Sequence, residues 1–319
     1  MRKILAADIG GTSSRFAAFT VDGDGTLKLD GTRWLKTREA SSFAGLIGSL
    51  RGGELPFGPD GADMAVFAVP GPVRRGRFCS PPNIGWDIDL DAGRIGLDPA
   101  KAVLVNDFSA QAFATRSPVV SSAEEVLPGK ADEEAAVAVI GAGTGLGHAA
   151  LVGDGRGGYI AVPAEKGHAA FPMGGGREKE YQAFLCSELG EAYPRGDSVV
   201  SGGGMALLHR FLTGEALTPE ELTPRLSPGS ETLSWFARFY GRACRDYALT
   251  VLAKGGVYIA GGLAARTPAL VKHEAFASEF RLSPTMGDIL SEIPVFLISD
   301  QESGLWGAAR YGLQVLSGI

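Results

Sequence analysis

The segment "VAVIGAGTGLGHAAL", residues 137–151, decides between two classes of nucleotide-binding fold. An apolar run with strand character ends in a loop with four glycines among seven residues. The dinucleotide pattern G-x-G-x-x-G fits Gly141 and Gly143 but fails at Leu146, and a start at Gly143 fails at His148. The residues that follow are apolar and lead to a Gly-Asp-Gly turn, which predicts a hairpin rather than a helix. Such a loop can hold phosphate through its backbone N–H groups, or it can be a plain tight turn; this segment alone favours neither.

The N-terminus repeats the design. In "ILAADIGGTSSRFAAFTVDGDGTL", residues 4–27, the segment 7–10 aligns with 138–141, and Gly11-Thr12 then meets Gly143-Thr144 after one inserted residue, Ala142. Two strand–turn–strand hairpins roughly 130 residues apart indicate two related halves. Each half would offer a backbone loop and a threonine hydroxyl to one polyphosphate. The repeat favours phosphate binding over a plain turn.

One position differs between the two copies. Asp8 stands where the second copy has Val139. A carboxylate beside a phosphate loop repels the phosphate unless a cation stands between them. We therefore expect Asp8 to act at a magnesium ion, with a carboxylate at a strand-end turn as the simpler alternative.

Composition restricts the class of protein. At 319 residues and 45% hydrophobic content, two domains with sizeable cores are expected. A net charge of −6 and no lysine- and arginine-rich block argue against nucleic acid or a membrane surface as the main partner. The first apolar run is too short for a signal peptide, and no segment approaches the length of a membrane span. Three scattered cysteines without C-x-x-C suit a reducing cytoplasm and exclude a cysteine-based zinc site.

Strand and helix patterns alternate along the chain, which predicts an α/β fold with largely covered sheets. Residues 52–61 and 117–132 are rich in turn-forming residues and are predicted to be surface loops.

Three further segments carry polar groups or glycines after apolar strands. "VLVNDFSA" places Asn106 and Asp107 at the carboxyl end of a strand, where ligands bind in open α/β sheets; a helix cap is the alternative that the spacing favours. "PAEKGHAAF" places Glu165 and His168 in one glycine-containing loop, which suits a ligand rich in hydroxyls but also describes a surface turn. "YIAGGLAAR" offers a glycine turn, either against a flat ligand such as adenine or as a plain strand-to-helix connection.

Taken in order, "DIGGT", "AVPGPV", "NDF", "GAGTGLG", "E-x-G-H", "SGGG" and "IAGG" resemble the bacterial glucokinases, part of the sugar kinase, actin and chaperone-ATPase superfamily. The resemblance runs over residues 5–307. It implies an α/β fold of two duplicated ribonuclease-H-like (actin-like ATPase) domains around a nucleotide cleft. The small domain would be 1–108 plus 300–319 and the large domain 109–299. The implied activity is transfer of the γ-phosphoryl group of MgATP to the 6-hydroxyl of a hexose, by a cytoplasmic protein that is often a homodimer.

The resemblance also implies roles for individual residues. Asp107 would be the general base at the sugar hydroxyl, and Asp8 would act through magnesium-bound water. The remaining expected contacts are with the sugar (Asn83, Asn106, Glu165, His168 and Asp197), with the phosphates (Gly10, Gly11, Thr12, Gly143, Thr144 and Gly145) and with the adenosine (Gly261 and Gly262).

The chain departs from the family pattern at three positions. Asp197 replaces a glutamate that reaches the sugar near its reducing end, Lys166 stands where glycine is common, and Ser13 replaces an asparagine. None of these touches the expected base, but the first two leave the identity of the hexose open. A kinase of another small polar substrate and a non-catalytic ATP-binding sugar sensor remain the alternatives. The cysteine-rich zinc motif of the repressor/open-frame kinase family is absent from the sequence, and an N-terminal DNA-binding extension is not expected.

Overall fold

A computed structural model describes residues 1–93 and 96–318. The chain forms two compact units. The first comprises Met1–Ser121, Gly153–Val162 and Gln301–Ile319, and the second comprises Ser122–Val152 and Pro163–Asp300. The division at residue 108 that the sequence suggested stays a prediction, and Ile319 lies outside the described residues.

Thirteen strands are present in the described part of the chain. Their bounds are β1 Arg2–Ile9, β2 Ser13–Val21, β3 Leu27–Lys36, β4 Met64–Val69, β5 Phe78–Cys79, β6 Ile88–Asp89, β7 Ala102–Asn106, β8 Glu124–Leu127, β9 Val137–Ala142, β10 Leu146–Gly153, β11 Tyr159–Ala164, β12 Val257–Ile259 and β13 Val295–Leu297.

Twelve α-helices accompany them over the same described residues. Their bounds are α1 Phe43–Gly48, α2 Asp107–Ala114, α3 Arg177–Leu189, α4 Gly196–Val199, α5 Gly202–Thr213, α6 Pro219–Leu222, α7 Glu231–Val251, α8 Gly262–Arg266, α9 Ala269–Lys272, α10 Glu274–Arg281, α11 Gly287–Glu292 and α12 Ser303–Ser317.

The two large sheets share the order of five strands, and the second sheet adds β8 at one edge. The first has the order β3-β2-β1-β4-β7, and the second has the order β11-β10-β9-β12-β13-β8. In each sheet the first strand of the repeat pairs antiparallel with the next strand and parallel with a strand much later in the chain. The internal repeat seen in the sequence is therefore a repeat of strand order, and the α/β prediction is confirmed.

The hairpin registers revise the alignment of the two loops. Ile9 pairs with Ser14 in the first hairpin, and Ala142 pairs with Leu146 in the second. Ala142 is thus the last residue of β9 and not an insertion in the loop. The second loop is the shorter one, because only residues 143–145 lie between the paired positions.

The segment 117–132 is not wholly a loop as the sequence predicted. It contains β8, which pairs antiparallel with β13. Two glutamates begin the strand and both are exposed, so its local sequence has little strand preference. Pairing with β13 makes it a strand, and that pairing is invisible in a local pattern.

The first sheet buries apolar side chains on both faces. Leu5 and Ala7 of β1 join one core cluster, whereas Ile4 and Ala6 join another with α12. A side chain at Gly307 of α12 would overlap the backbone of α2, so this glycine allows the two helices to cross closely. The arrangement fixes α2, and with it the carboxyl end of β7.

The core of the second unit centres on the 21-residue helix α7. Its apolar stripe includes Phe236, Phe239, Tyr240 and Tyr247, all nearly or fully buried. The Tyr240 hydroxyl accepts a hydrogen bond from the backbone N–H of Ala142, which ties α7 to the end of β9. Over the described residues, no helix has the length and apolar character needed to cross a membrane.

Candidate active site

The carboxyl ends of three parallel strands meet at one edge of the first sheet. Asp8 of β1 is in register with Ala68 of β4, and Val69 of β4 is in register with Asn106 of β7. Ligands of open α/β sheets bind at such an edge. The structure therefore brings Asp8, Asn106 and Asp107 to the same edge of one unit.

The first glycine loop lies against Asn83. A Cβ at Gly11 would stand 2.9 Å from both the Cβ and the backbone oxygen of Asn83. The backbone N–H of Gly10 donates to the Ser13 oxygen at 3.1 Å and closes the turn, and Thr12 is exposed at its tip. Only glycine at position 11 permits this approach, and the approach places the predicted sugar residue Asn83 beside the predicted phosphate loop.

Asp8 has three neighbours of the same unit. The Arg15 guanidinium lies 3.8 Å from its carboxylate, and the side-chain amide of Gln111 lies near it across Gly304. Burial raises the pKa of Asp8, and the charge of Arg15 opposes that effect. The Oε1 atom of Gln111 is buried without a hydrogen-bond partner. The atom of Gln111 that faces Gly304 beside Asp8 is the donor Nε2 and not the unpartnered oxygen, so the Asp8 carboxylate is the group at this edge that suits Mg²⁺ and its bound water.

Asn106 caps α2, as the alternative interpretation of the sequence had it. Its Oδ1 accepts from the N–H groups of Phe108 and Ser109 at 3.0 and 3.1 Å, and its Nδ2 donates to the Gly71 oxygen at 3.2 Å. Asp107 follows as the first residue of the helix and is half-buried. The cap and the Gly71 contact hold the backbone of Asp107 at the helix N-terminus, where the helix dipole favours its charge.

Cys79 lies near Asp107. Burial, together with the charges of Asp107 and Asp87, raises the pKa of the Cys79 thiol to about 11. Its Sγ donates to the Pro70 oxygen at 3.4 Å. The thiol is therefore a neutral packing group beside the carboxylate and not a nucleophile at neutral pH.

In the second unit, the other glycine loop meets the Gly261 turn. A Cβ at Gly261 would stand 3.0 Å from the backbone oxygen of Ala142, and Gly261 has a φ of +97°, so glycine is required there on both counts. Gly262 then begins α8. The Gly143 oxygen accepts from the Gly202 N–H at 3.0 Å, while Thr144 is exposed at the loop tip. The predicted phosphate loop and the predicted adenosine turn are adjacent in this unit.

Glu165, His168 and Asp197 are also brought together. The Nε2 atom of His168 lies 3.5 Å from Glu165 Oε2, and its Nδ1 atom lies 3.2 Å from Asp197 Oδ2. The other oxygen of Asp197 accepts from the Leu146 N–H at 2.7 Å. The side chains of Glu165 and His168 are 54% and 59% exposed, but that of Asp197 is only 20% exposed. Asp197 thus lies behind the other two and also holds the end of the glycine loop.

Three residues beside these sites carry no motif in the sequence: Arg15, Gln111 and Arg195, whose Nη1 atom lies 3.3 Å from His168 Nδ1. The hairpin register places Arg15 opposite Asp8, and Gln111 lies four residues after Asp107 on the same helix face, so both could have been found from spacing. Arg195 has no such signal.

Within the described ranges, no group of three or more His, Cys, Asp or Glu side chains is placed to hold a metal ion. An all-protein metal cage is therefore not observed there. Asp8 instead suits an ion that keeps most of its water and binds phosphate oxygens, as Mg²⁺ does.

Comparison with known proteins identifies the family of the chain. The family model for glucokinase matches residues 5–315. A glucokinase from Chromobacterium violaceum is 30% identical over 96% of this chain and 88% of its own. The crystal structure of a glucokinase from an Antarctic psychrotroph is similar with a TM-score of 0.82 at 25% identity, over 98% of each chain. A ROK family glucokinase from Streptomyces griseus, solved with glucose and AMPPNP, is similar with a TM-score of 0.64 at 20% identity, over 97% of this chain and 98% of that one.

The family match and the duplicated sheet order place the chain among the sugar kinases of the actin-like ATPase fold. Nearly the whole chain matches one family of that class. The chain belongs to the glucokinase family.

Proposed function

We propose that this protein transfers the γ-phosphoryl group of ATP to the 6-hydroxyl of a hexose, with glucose as the first choice. The observation that carries the proposal is the placement of Asp107, a half-buried carboxylate fixed at the first turn of α2 by the Asn106 cap. The family match over residues 5–315 supports the same reaction.

Asp107 acts as the general base. Its carboxylate takes the proton of the sugar 6-hydroxyl as that oxygen bonds to the γ-phosphorus, the bond from phosphorus to the bridging oxygen breaks, and ADP leaves with the bonding electrons. A positioned base contributes on the order of 10²–10⁴ in rate. The rest of the protein's work in phosphoryl transfer is alignment and charge stabilisation.

Two loops bind the phosphates through backbone N–H groups and threonine hydroxyls: Gly10 to Thr12 and Gly143 to Gly145. One N–H of each loop is used within the turn, from Gly10 to the Ser13 oxygen and from Gly143 to the Gly145 oxygen. The remaining N–H groups would bind the anion, and glycine lets it approach them closely. Asp8 would hold the water shell of Mg²⁺, and the ion, when bound, would neutralise charge on the phosphate oxygens. Gly261 and Gly262 lie against the adenosine, where the absence of side chains leaves a flat surface.

The sugar is held by groups that match hydroxyl chemistry. Glu165 accepts hydrogen bonds, and His168 offers either a donor or an acceptor on its exposed ring nitrogen. Asn83 and Asn106 provide amide groups at the edge of the first sheet. Asn106 keeps one Nδ2 hydrogen for substrate after its bond to Gly71.

One observation favours a second candidate, a kinase of another hexose at the same site. Both carboxylate oxygens of Asp197 contact protein groups, the Leu146 N–H and the His168 ring. A glutamate at this position would extend one methylene further. Asp197 therefore offers the reducing end of the sugar one contact fewer than a glutamate would.

We also propose the two-domain division, the homodimer and the cytoplasmic setting that the resemblance implies. All three cysteines, Cys79, Cys186 and Cys244, are free, which suits a reducing compartment. Light scattering after gel filtration tests the dimer.

The decisive experiment is ADP release by the purified protein with MgATP, across glucose, mannose, fructose, N-acetylglucosamine and no sugar. Asp107→Asn is measured beside Asp98→Asn, a matched control at the opposite end of β7, where Asp98 accepts from the Ala100 N–H at 3.0 Å. Glucose-dependent turnover that is lost only in Asp107→Asn supports the proposal. Turnover with another sugar alone supports the second candidate. No sugar-dependent turnover, despite measurable ATP binding, rejects both and favours a sensor.

A further inference from the structure

Arg195 contacts the ring of His168 from the side that faces away from Glu165. Its Nη1 atom lies 3.3 Å from His168 Nδ1 in hydrogen-bond geometry. The rest of the guanidinium is held by a fork on Glu191, with Nε at 3.0 Å and Nη2 at 2.6 Å from the two carboxylate oxygens. A two-point ion pair of this kind fixes the plane of the guanidinium. Arg195 is therefore rigid where it meets the histidine.

The chemistry of arginine decides the direction of this hydrogen bond. A guanidinium has five N–H donors and no acceptor. In the contact with Arg195, the Nδ1 atom of His168 must be the acceptor, so the proton of the neutral ring sits on Nε2. That nitrogen faces Glu165, at 3.5 Å, and lies on the exposed side of the ring.

We propose that Arg195 is a positioning residue. It keeps the neutral ring of His168 in the tautomer that carries its proton on Nε2, so that Nε2–H can donate a hydrogen bond. Glu165 Oε2 and His168 Nε2–H then form an acceptor and a donor 3.5 Å apart. One sugar hydroxyl satisfies both groups, because it donates to the carboxylate and accepts from the imidazole. An ether oxygen at the same place would satisfy only the donor.

Asp197 competes with Arg195 for the same ring nitrogen. Its Oδ2 atom lies 3.2 Å from Nδ1, and Arg195 Nη1 lies 3.9 Å from that oxygen. If the Nδ1 proton were present, it would have a carboxylate to donate to. Arg195 keeps the proton off Nδ1, both by donating to that nitrogen and by offsetting the negative charge of Asp197. Loss of the guanidinium should therefore move the proton from Nε2 to Nδ1.

The test is nitrogen-15 NMR of the full chain labelled at its four histidines, without ligand. The buffer is held about two pH units above the ordinary histidine pKa of ~6.5, so that exposed imidazole rings are neutral. His168→Gln assigns the signals. In the wild type we expect the Nε2–H tautomer for His168, and in Arg195→Met we expect Nδ1–H to become the major form. The Nδ1–H form in the wild type, or an unchanged tautomer in Arg195→Met, would overturn the proposal.

Two further variants separate this effect from general loosening. Arg210→Met is the matched control. Arg210 makes a similar two-point ion pair with Glu188, at 2.7 and 3.1 Å, away from residues 165–168. It should leave the His168 signals unchanged. Glu191→Gln releases the fork on Arg195 and should shift the tautomer part of the way; it also serves if Arg195→Met fails to fold. No shift in Glu191→Gln would contradict the proposed rigidity.

Kinetics provide the second measurement, and this part rests on the proposed function. Loss of one oriented donor should raise the sugar KM by about 2- to 12-fold, the range for one hydrogen bond, with the ATP KM unchanged. A rise in both KM values would point to a loosened loop and against a tautomer effect. If the wild type shows no sugar-dependent turnover, the proposed function fails, but the NMR result still decides the role of Arg195.

Discussion

Gly167 lies directly against Asp197. A Cβ placed at Gly167 would overlap Asp197 Oδ1, the oxygen that accepts from the Leu146 N–H, and also the carbonyl oxygen of Leu146. Gly167 is therefore the point where the loop of residues 165–168 contacts the end of the glycine loop 143–145. Through this contact the proposed sugar and phosphate sites of the second unit share one support.

We expect Gly167→Ala to disturb both loops. A methyl group forced against backbone and carboxylate typically lowers the free energy of unfolding by about 1–3 kcal/mol. The sugar KM and the ATP KM should rise together, in contrast to Arg195→Met. Urea unfolding and steady-state kinetics measure the two effects. Gly175→Ala is the control, since a Cβ there meets nothing within 4 Å. Unchanged stability and unchanged KM values in Gly167→Ala would show that the loops yield easily.

Much of the fold is readable from the repeat of residues 4–27 at 137–151. The order of five strands is the same in both sheets, which confirms the repeat. The glycine spacing at residues 141–147 does not fit the dinucleotide pattern, and it correctly predicted a hairpin. The placement of Asp8 and Asn106 at one sheet edge follows from parallel strands that end in register. These features depend on local pattern and on topology, and a sequence records both.

Other features depend on contacts between distant segments. β8 is a strand only because β13 pairs with it, and the role of Arg195 follows from where Glu191 holds its guanidinium. Asn106 shows a different difficulty. Asn106 caps α2, as the alternative interpretation of the sequence had it, and through that cap it also fixes Asp107. The helix cap and the ligand site that the sequence offered as alternatives are therefore compatible.

Gly261→Ala should weaken ATP binding and the fold. A φ of +97° strains any residue with a Cβ by about 1–3 kcal/mol, and the methyl group would also press on the Ala142 oxygen at 3.0 Å. We expect a higher ATP KM with little change in the sugar KM. Gly287→Ala, at the first residue of α11, is the control, because a Cβ there makes only an ordinary contact with the Arg281 oxygen at 3.7 Å. Equal effects of the two substitutions would argue against a special role for the turn.

Asp8→Asn should raise the Mg²⁺ concentration needed for half-maximal activity. Groups that act on a metal through its water typically change its affinity by about 10- to 100-fold when removed. Magnesium titrations of the variant and of Asp22→Asn, an exposed aspartate of the same unit, test this. An unchanged Mg²⁺ requirement in Asp8→Asn would place the ion elsewhere.

The effect of Asp8→Asn on stability should be opposite to its effect on activity. Burial raises the pKa of Asp8, so the folded state binds this proton more tightly than the unfolded chain does. The stability of the wild type therefore falls as the pH rises from the ordinary aspartate pKa of ~3.9 through the raised value. The neutral amide lacks this penalty. At neutral pH we expect Asp8→Asn to unfold at the same urea concentration as the wild type or at a higher one, while its activity is reduced.

Arg242→Met should destabilise the second unit strongly. Arg242 donates to Glu178 at 2.6 and 3.1 Å and to Glu279 at 2.7 Å, and all three side chains are 8% exposed. Without Arg242, each carboxylate keeps one arginine, since Arg238 lies 3.1 Å from Glu178 and Arg245 lies 3.1 Å from Glu279. Breaking a buried ion pair typically lowers the free energy of unfolding by about 3–5 kcal/mol, and the remaining arginines should keep the loss at the lower end of that range. The exposed pair of Arg210 and Glu188 gives the comparison, since Arg210→Met should lose less than about 1 kcal/mol.

The loss of stability caused by Arg242→Met should be smaller at low pH. Burial acts to raise the pKa of Glu178, but the Arg242 hydrogen bonds, the Gly174 N–H and nearby guanidinium charges outweigh it and lower that pKa. In the wild type, this contribution is present above the ordinary glutamate pKa of ~4.3 and is lost as the pH falls through the lowered value. In the variant, protonation of Glu178 in acid removes the buried charge that Arg242 no longer offsets. Urea unfolding at neutral pH and near pH ~4 should therefore give a smaller difference between the two proteins at the lower pH. An equal difference at both would show that lost packing, and not charge, sets the effect.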